Sequence, residues 1–448
     1  MGSFLRRGWI GAAVRGAVVA LIVAALGEAV SFSLYGAHVL PHETAAQAAQ
    51  QGMLLFYSFH RVTLEIHTAA LRIPSIVNGT IGLPVGFDTR ARLGLCLMTG
   101  TVIAMWLLAR AGRAVANRVG GDPRARAFQG AKVGLVYGAL SCATSWFVEG
   151  RQALPHTSLL VIRAAHFSAF VWPFVIGAIA GGIGGFGSAD PSAIREWLGY
   201  RLTEKWIRRS RGIVAGATRM LVLSLVFSFI GLASLALFDP SARSAYFRTI
   251  SSKGASSGVA IAEPTALAIP NMGAWALVPA MGGCLEIASA NGSMTSAITP
   301  YCFESYSNTL AHPAQSANRE WTFLGFHELR APSAWFLLFL LAPLAASFMG
   351  GGRAARIAEA VDAREALYVT ALAAALFAVL IGLTLMLAWV TLTTSGDAPG
   401  LNNYVRYGPY PFDGAQLALG WGLIFGGIGG VWAARTSRRD LRFEGELL

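Results

Sequence analysis

The sequence predicts an all-α polytopic membrane protein: eight transmembrane helices in a 4+4 parallel tandem repeat, with external amphipathic or re-entrant segments and one long external loop. Three observations carry that expectation. Long apolar runs recur along the chain, arginine clusters fall on every second connection, and the two halves match in collinear order.

Of the 448 residues 54% are hydrophobic and only 13% charged. A soluble chain would carry roughly 25% charged residues. Each apolar run is about 20 residues, enough to cross ~30 Å of hydrocarbon as a helix. The runs are 9–35, 93–112, 129–149, 158–185, 212–238, 333–350, 365–392 and 414–434. They are continuously apolar rather than alternating, which disfavours an outer-membrane barrel.

Basic residues orient the spans. Arg6 and Arg7 precede the first, Arg113, Arg118, Arg124 and Arg126 separate the second and third, and Arg195 to Arg211 separate the fourth and fifth. Arg353, Arg356 and Arg364 follow the sixth, and Arg435, Arg438, Arg439 and Arg442 the eighth. The positive-inside rule then makes both termini cytoplasmic. The net charge of +12 is topogenic charge beside anionic lipid rather than a nucleic-acid stripe. The first apolar run exceeds a signal-peptide core and lacks a small-residue cleavage site, so it is read as a retained span. Thirty-two arginines against three lysines, with abundant Ala and Gly, point to a GC-rich bacterial source. The expected location is the plasma (inner) membrane of a bacterium.

The self-match begins with RGWIGAAVRG on RGIVAGATRM, pairing Arg7 with Arg211 and Arg15 with Arg219. ALRIPS then lies on ALAIPN, pairing Pro74 with Pro270 as a repeated external turn. Gly112 pairs with Gly352 and Asp122 with Asp362, and GGIGG at Gly181–Gly185 recurs at Gly426–Gly430. The expected units are a first four-helix repeat over 1–190, a cytoplasmic amphipathic linker over 191–211, and a second repeat over 212–448 that includes the external loop 239–332. Four spans per unit put both repeats in one orientation, about a pseudo-two-fold axis along the membrane normal.

Gly177, Gly181 and Gly185 are spaced by four, as are Gly422, Gly426 and Gly430. Such a face lets another helix backbone approach closely; the alternative is a passage or hinge lined by bare backbone. Ionisable residues at membrane depth are costly and often functional. Glu28, Arg163 and His166 are the intramembrane polar candidates, with a Glu28–Arg163 ion pair as one arrangement and a site on one half as another.

The segment MLLFYSFHRVTLEIHTAALRIP suggests an external amphipathic helix, followed by Gly- and Pro-rich IVNGTIGLPVG; MGAWALVPAMGG is its counterpart. These two short segments are expected to cap the bundle or re-enter it. Cys284 and Cys302, in the external loop, are expected to form a disulfide, whereas Cys96 and Cys142 fall within spans. His38, His42, His60 and His67 show no tight ligand spacing, so no metal or cofactor is expected. The basic linker Pro191–Arg211 is expected to lie on anionic lipid, and the external loop to offer a surface to a protein partner.

Phosphate-loop, HExxH and GxSxG motifs are absent, so catalysis is not expected. Two functions fit: a permease or channel-like protein for a small solute or ion, or a non-transporting scaffold or accessory subunit working through its external loop.

Overall fold

The computed structural model describes residues 8–36, 44–73, 76–77, 80–81, 85–152, 157–199, 203–238, 258–291, 294–302, 321–323, 326–329, 340–396 and 403–445. The chain is mostly helical, and five of its helices are long and apolar enough to cross a membrane: Trp9–Gly36, His166–Phe186, Glu204–Ser234, Ala363–Ala388 and Pro411–Thr436. Their outward faces are apolar. Ile10, Leu21, Ile183, Val379 and Leu383 are each more than half exposed, an arrangement suited to lipid contact rather than to water.

In chain order the helices are α1 (Trp9–Gly36), α2 (Ala45–Ser58), α3 (Met98–Val119), α4 (Pro123–Ser145), α5 (His166–Phe186), α6 (Pro191–Gly199), α7 (Glu204–Phe238), α8 (Gly258–Ala280), α9 (Leu341–Ile357), α10 (Ala363–Ala388), α11 (Pro411–Trp421) and α12 (Gly427–Gly445). A single π-helical turn, Gly422–Gly426, joins the last two. The expected spans 93–112, 129–149 and 333–350 fall on α3, α4 and α9. These do not stand among the five, because α3 carries Arg110, Arg113 and Arg118, α4 carries Arg124, Arg126 and Lys132, and α9 has only 17 residues.

The fold departs from the all-α expectation by carrying a β-sheet. Strands β1 (Thr63–Ile73), β4 (Val85–Gly94), β5 (Glu149–Gln152), β6 (Thr157–Ala164), β7 (Cys284–Asn291), β8 (Met294–Cys302), β11 (Val390–Gly396) and β12 (Asn403–Pro409) form one eight-stranded sheet. Its order is β5-β6-β1-β4-β11-β12-β7-β8, and every pairing in it is antiparallel. Two further pairs stand apart, β2 (Ile76–Val77) with β3 (Thr80–Ile81), and β9 (Trp321–Phe323) with β10 (Phe326–Leu329). By connectivity, the sheet lies where α4 and α10 end and where α3, α5 and α11 begin; the arginine-rich connections lie at the opposite end of the bundle.

Setting aside the two small pairs, the order α-α-β-β-α-α-β-β-α runs from α1 to α5 and recurs from α7 to α11. The recurrence extends to backbone detail. Asp122 and Asp362 both cap helix N-termini, accepting from the amides of Ala125 and Glu365 at 2.7 Å. Gly120 (φ 73°) follows α3 where Glu359 (φ 53°) follows α9, and Arg61 (φ 58°) precedes β1 where Gly282 (φ 95°) precedes β7. The left-handed turn is thus kept even where a side chain makes it costly.

Two large apolar clusters, with two smaller ones, fill the interior. One gathers Val23, Phe56, Phe59, Leu108 and Tyr137, the other Met220, Trp275, Phe377, Ile381 and Leu385. The glycine faces are occupied. A Cβ on Gly134 would strike the backbone of Ala178 and Gly177, and one on Gly130 the carbonyl of Gly181. Likewise a Cβ on Gly112 would strike Gly181, one on Gly351 the carbonyl of Gly426, and one on Gly430 the Thr370 side chain. Gly177 faces Gly134, Gly185 faces Arg126, and Gly422 lies against Ala374. Gly177, Gly181 and Gly185 lie against neighbouring backbone, whereas Gly422, Gly426 and Gly430 lie closest to the side chains of Ala374, Met220 and Thr370.

Several local expectations change. The stretch read as one amphipathic helix is helical only to Ser58 and becomes strand from Thr63. IVNGTIG holds the antiparallel β2–β3 pair. MGAWALVPAMGG is largely the C-terminal part of α8, so Pro270 lies inside a helix rather than at a turn. Pro74 is outside the described residues, but the Ala70 and Ala266 stretches that matched in sequence are strand and helix, so that match is coincidental. The apolar run 365–392 is helix only to Ala388 and continues as β11.

Candidate functional site at the sheet end of the bundle

Helix α2 opens on a capping box, with Thr44 and Gln47 satisfying each other's backbone amides. It packs on α1 where Gly27 meets the carbonyl of Gly52, and a Cβ at Gly52 would touch the Glu28 carboxylate. Ser31 donates to the carbonyl of Ala48 at 2.6 Å on the same seam. Glu28 therefore faces α2, and its Oε2 is buried without a hydrogen-bond partner. That is an expensive arrangement for a carboxylate.

His60 follows on the turn after α2 and is fully buried. Its Nδ1 lies 2.7 Å from the carbonyl of Phe56 and its Nε2 lies 2.7 Å from the Tyr137 hydroxyl. A carbonyl can only accept, so Nδ1 carries the proton, and in the neutral ring Nε2 accepts from Tyr137. Burial pushes the imidazole down to about 4, against the opposing pull of the Phe56 carbonyl. Arg61, held in the left-handed region, places its guanidinium 5.5 Å from the Trp172 ring centre.

Asn271 of α8 ties that helix to the start of α3. Its Nδ2 donates to the carbonyl of Cys96 at 2.7 Å, and its Oδ1 accepts from the amide of Met98 at 3.0 Å. Met98 opens α3, whose N-cap Leu97 offers no side-chain cap, so Asn271 supplies the missing acceptor from a distant helix. Asn271→Ala is expected to cost about 1–3 kcal/mol, since it strands a buried donor and a buried acceptor. Thermal unfolding in detergent checks this, with Asn271→Asp retaining the acceptor to Met98 but losing the donor to Cys96.

The polar candidates named from sequence do not form one intramembrane site. Arg163 lies in β6, not in a span, and its guanidinium reaches Glu65 of β1 at 3.4 Å rather than Glu28. Arg92 of β4 meets the other Glu65 oxygen at 3.2 Å. This three-residue ladder crosses adjacent strands on one face of the sheet and is half-exposed, so its worth is small. His166 opens α5, with Nδ1 2.7 Å from Ser145 Oγ and its ring stacked on Trp146 at 4.0 Å. Those contacts pin the start of α5 to the end of α4. Of the three, Glu28 lies within a helix long and apolar enough to cross a membrane.

Tyr137 and Asn271 were missed from sequence, although each is a polar side chain in an apolar helix, which is a readable signal. Among the described residues no group of three or more His, Cys, Asp or Glu is placed to hold a metal ion. The chain matches no protein-family model, no curated protein and no solved structure at a significant level.

Proposed function

We propose that the protein is a membrane-anchored scaffold or accessory subunit that presents its eight-stranded sheet to a protein partner outside the membrane. One observation carries the reading: both halves of the chain contribute to a single sheet, joined where Gly94 to Thr89 of β4 pair with Thr391 to Gly396 of β11. The glycine faces, which could have lined a passage, are instead filled by neighbouring helices. The proposal includes eight spans in a 4+4 parallel duplication, supported by the recurrent element order and the paired caps and left-handed turns. It also includes cytoplasmic termini in a bacterial inner membrane, supported by the arginine distribution.

Transport of a small solute or ion is the second reading, favoured by Glu28, whose Oε2 is buried without a partner, and by the π-helical turn at Gly422–Gly426. Gentle purification from native membranes separates the two. A stoichiometric copurifying partner, still bound in Glu28→Gln, is expected; a lone monomer or homo-oligomer would overturn the scaffold reading and direct flux assays to Glu28.

A cross-strand disulfide belongs to the same proposal. Cys284 and Cys302 are Cα partners in the β7–β8 ladder, and directly opposed strand residues have Cβ atoms about 4.5–5.5 Å apart. Alkylation of denatured, unreduced protein is expected to label Cys96 and Cys142 alone, and all four cysteines after reduction.

A further inference from the structure

At the end of the bundle opposite the sheet, α7, α9 and α12 enclose a recess of about 120 Å³. Arg219, Arg353 and Arg356 line it, together with Phe348, Met349 and Trp432. Three basic residues of α7 nearer its N-terminus are neutralised within the chain. Lys205 and Arg209 meet Glu365 at 3.2 and 2.6 Å, and Arg208 meets Glu359 at 3.5 Å and Glu204 at 3.8 Å. Arg219, Arg353 and Arg356 have no carboxylate within ion-pair reach among the described residues. Three guanidiniums that line one recess, with no carboxylate partner among the described residues, leave it open to an anion from outside the chain.

We infer that this recess binds the phosphate headgroup of an anionic phospholipid. Guanidinium forks match phosphate oxygens bidentately, which accounts for arginine at all three positions. The recess is not an all-polar cup suited to a free ion. Trp432 is 62% exposed and Met349 39% exposed beside the arginines, and Phe348 completes an apolar wall along which an acyl chain lies. Tryptophan and arginine together mark the depth of lipid headgroups at the end of a span. Recognition extends past the general attraction of basic loops for anionic membranes, because it assigns the charge to three residues on two helices around one recess. It holds whichever side of the membrane carries the termini, and whether or not the protein transports anything.

The test uses the full chain purified in detergent, with native mass spectrometry after addition of phosphatidylglycerol or phosphatidylcholine. Wild type is expected to retain phosphatidylglycerol at least about tenfold over phosphatidylcholine. Each of Arg219→Gln, Arg353→Gln and Arg356→Gln is expected to reduce that retention about fivefold, in line with the attraction of one basic residue near an anionic surface. Arg208→Gln, which removes a neutralised arginine, is expected to change it less than twofold. Equal retention of the two lipids, or retention unchanged by the three substitutions, would overturn the inference. So would displacement of phosphatidylglycerol by millimolar inorganic phosphate without any preference between the lipids, which would mark a site for a soluble anion. Arg219, Arg353 and Arg356 are all exposed, so each single variant is expected to fold and remains informative.

Discussion

Gly134→Leu is expected to abolish accumulation of folded protein, while Gly420→Ala leaves it unchanged or slightly improved. Both positions lie in helices, where alanine is normally favoured over glycine by about 1 kcal/mol. At Gly134 that preference reverses, because the first added carbon would meet the backbone of Ala178 and Gly177 on α5. Backbone atoms cannot swing aside as a flexible side chain can, so α4 and α5 would have to separate. Overpacking a tight site costs typically ~1–3 kcal/mol, and leucine adds three more carbons in the same direction. Gly420 has nothing within 4 Å of the corresponding point. Size-exclusion profiles of tagged protein in detergent read the difference directly. A monodisperse Gly134→Leu peak at the wild-type position would show that α4 and α5 do not cross as described.

The second large effect lies at His60. Tyr137→Phe removes the donor to His60 Nε2 in a site shielded from water and is expected to cost about 1–3 kcal/mol. The pair also sets a pH dependence. His60 titrates at about 4 in the folded protein, below its ordinary value of 6.5. Between these values the unfolded chain takes up a proton that the folded chain refuses, so stability is full above about 6.5 and falls as the pH drops toward about 4. His60→Leu is expected to flatten that acid limb while changing stability at neutral pH through packing and the lost hydrogen bonds. Melting temperatures of wild type and variant measured from pH 7 to pH 4 supply the check; parallel curves would exclude His60 as the origin of any acid sensitivity.

Some of this architecture was legible in the sequence, for identifiable reasons. Asp122 and Asp362 matched at equivalent positions and both are helix caps, because a cap needs one residue type at one place. The repeated GGIGG marked tight helix crossings for a similar reason: only glycine fits where backbones touch. The sheet was hidden because its strands border apolar helices and extend their runs, as β11 does after Ala388. Yet Val62, Leu64 and Ile66 alternate with Thr63, Glu65 and His67, a period of two that a helical reading overrode. Glu65 could not be paired with Arg92 and Arg163 from sequence, since strand register brings them together across 27 and 98 positions (92 − 65 and 163 − 65).

The join between β4 and β11 has a mechanical consequence. Its ladder runs from Gly94 opposite Thr391 to Thr89 opposite Gly396, and a hydrogen-bonded ladder is stiff against shear along the strands. The first and second halves of the chain are therefore riveted together at one end of the bundle, and the relative freedom left to them increases toward the other end. Rocking of one half against the other, as an alternating-access cycle demands, would have to bend or break the rivet. A motion that spares it would splay the bundle only at the arginine-rich end, opening and closing one side while the other stays shut.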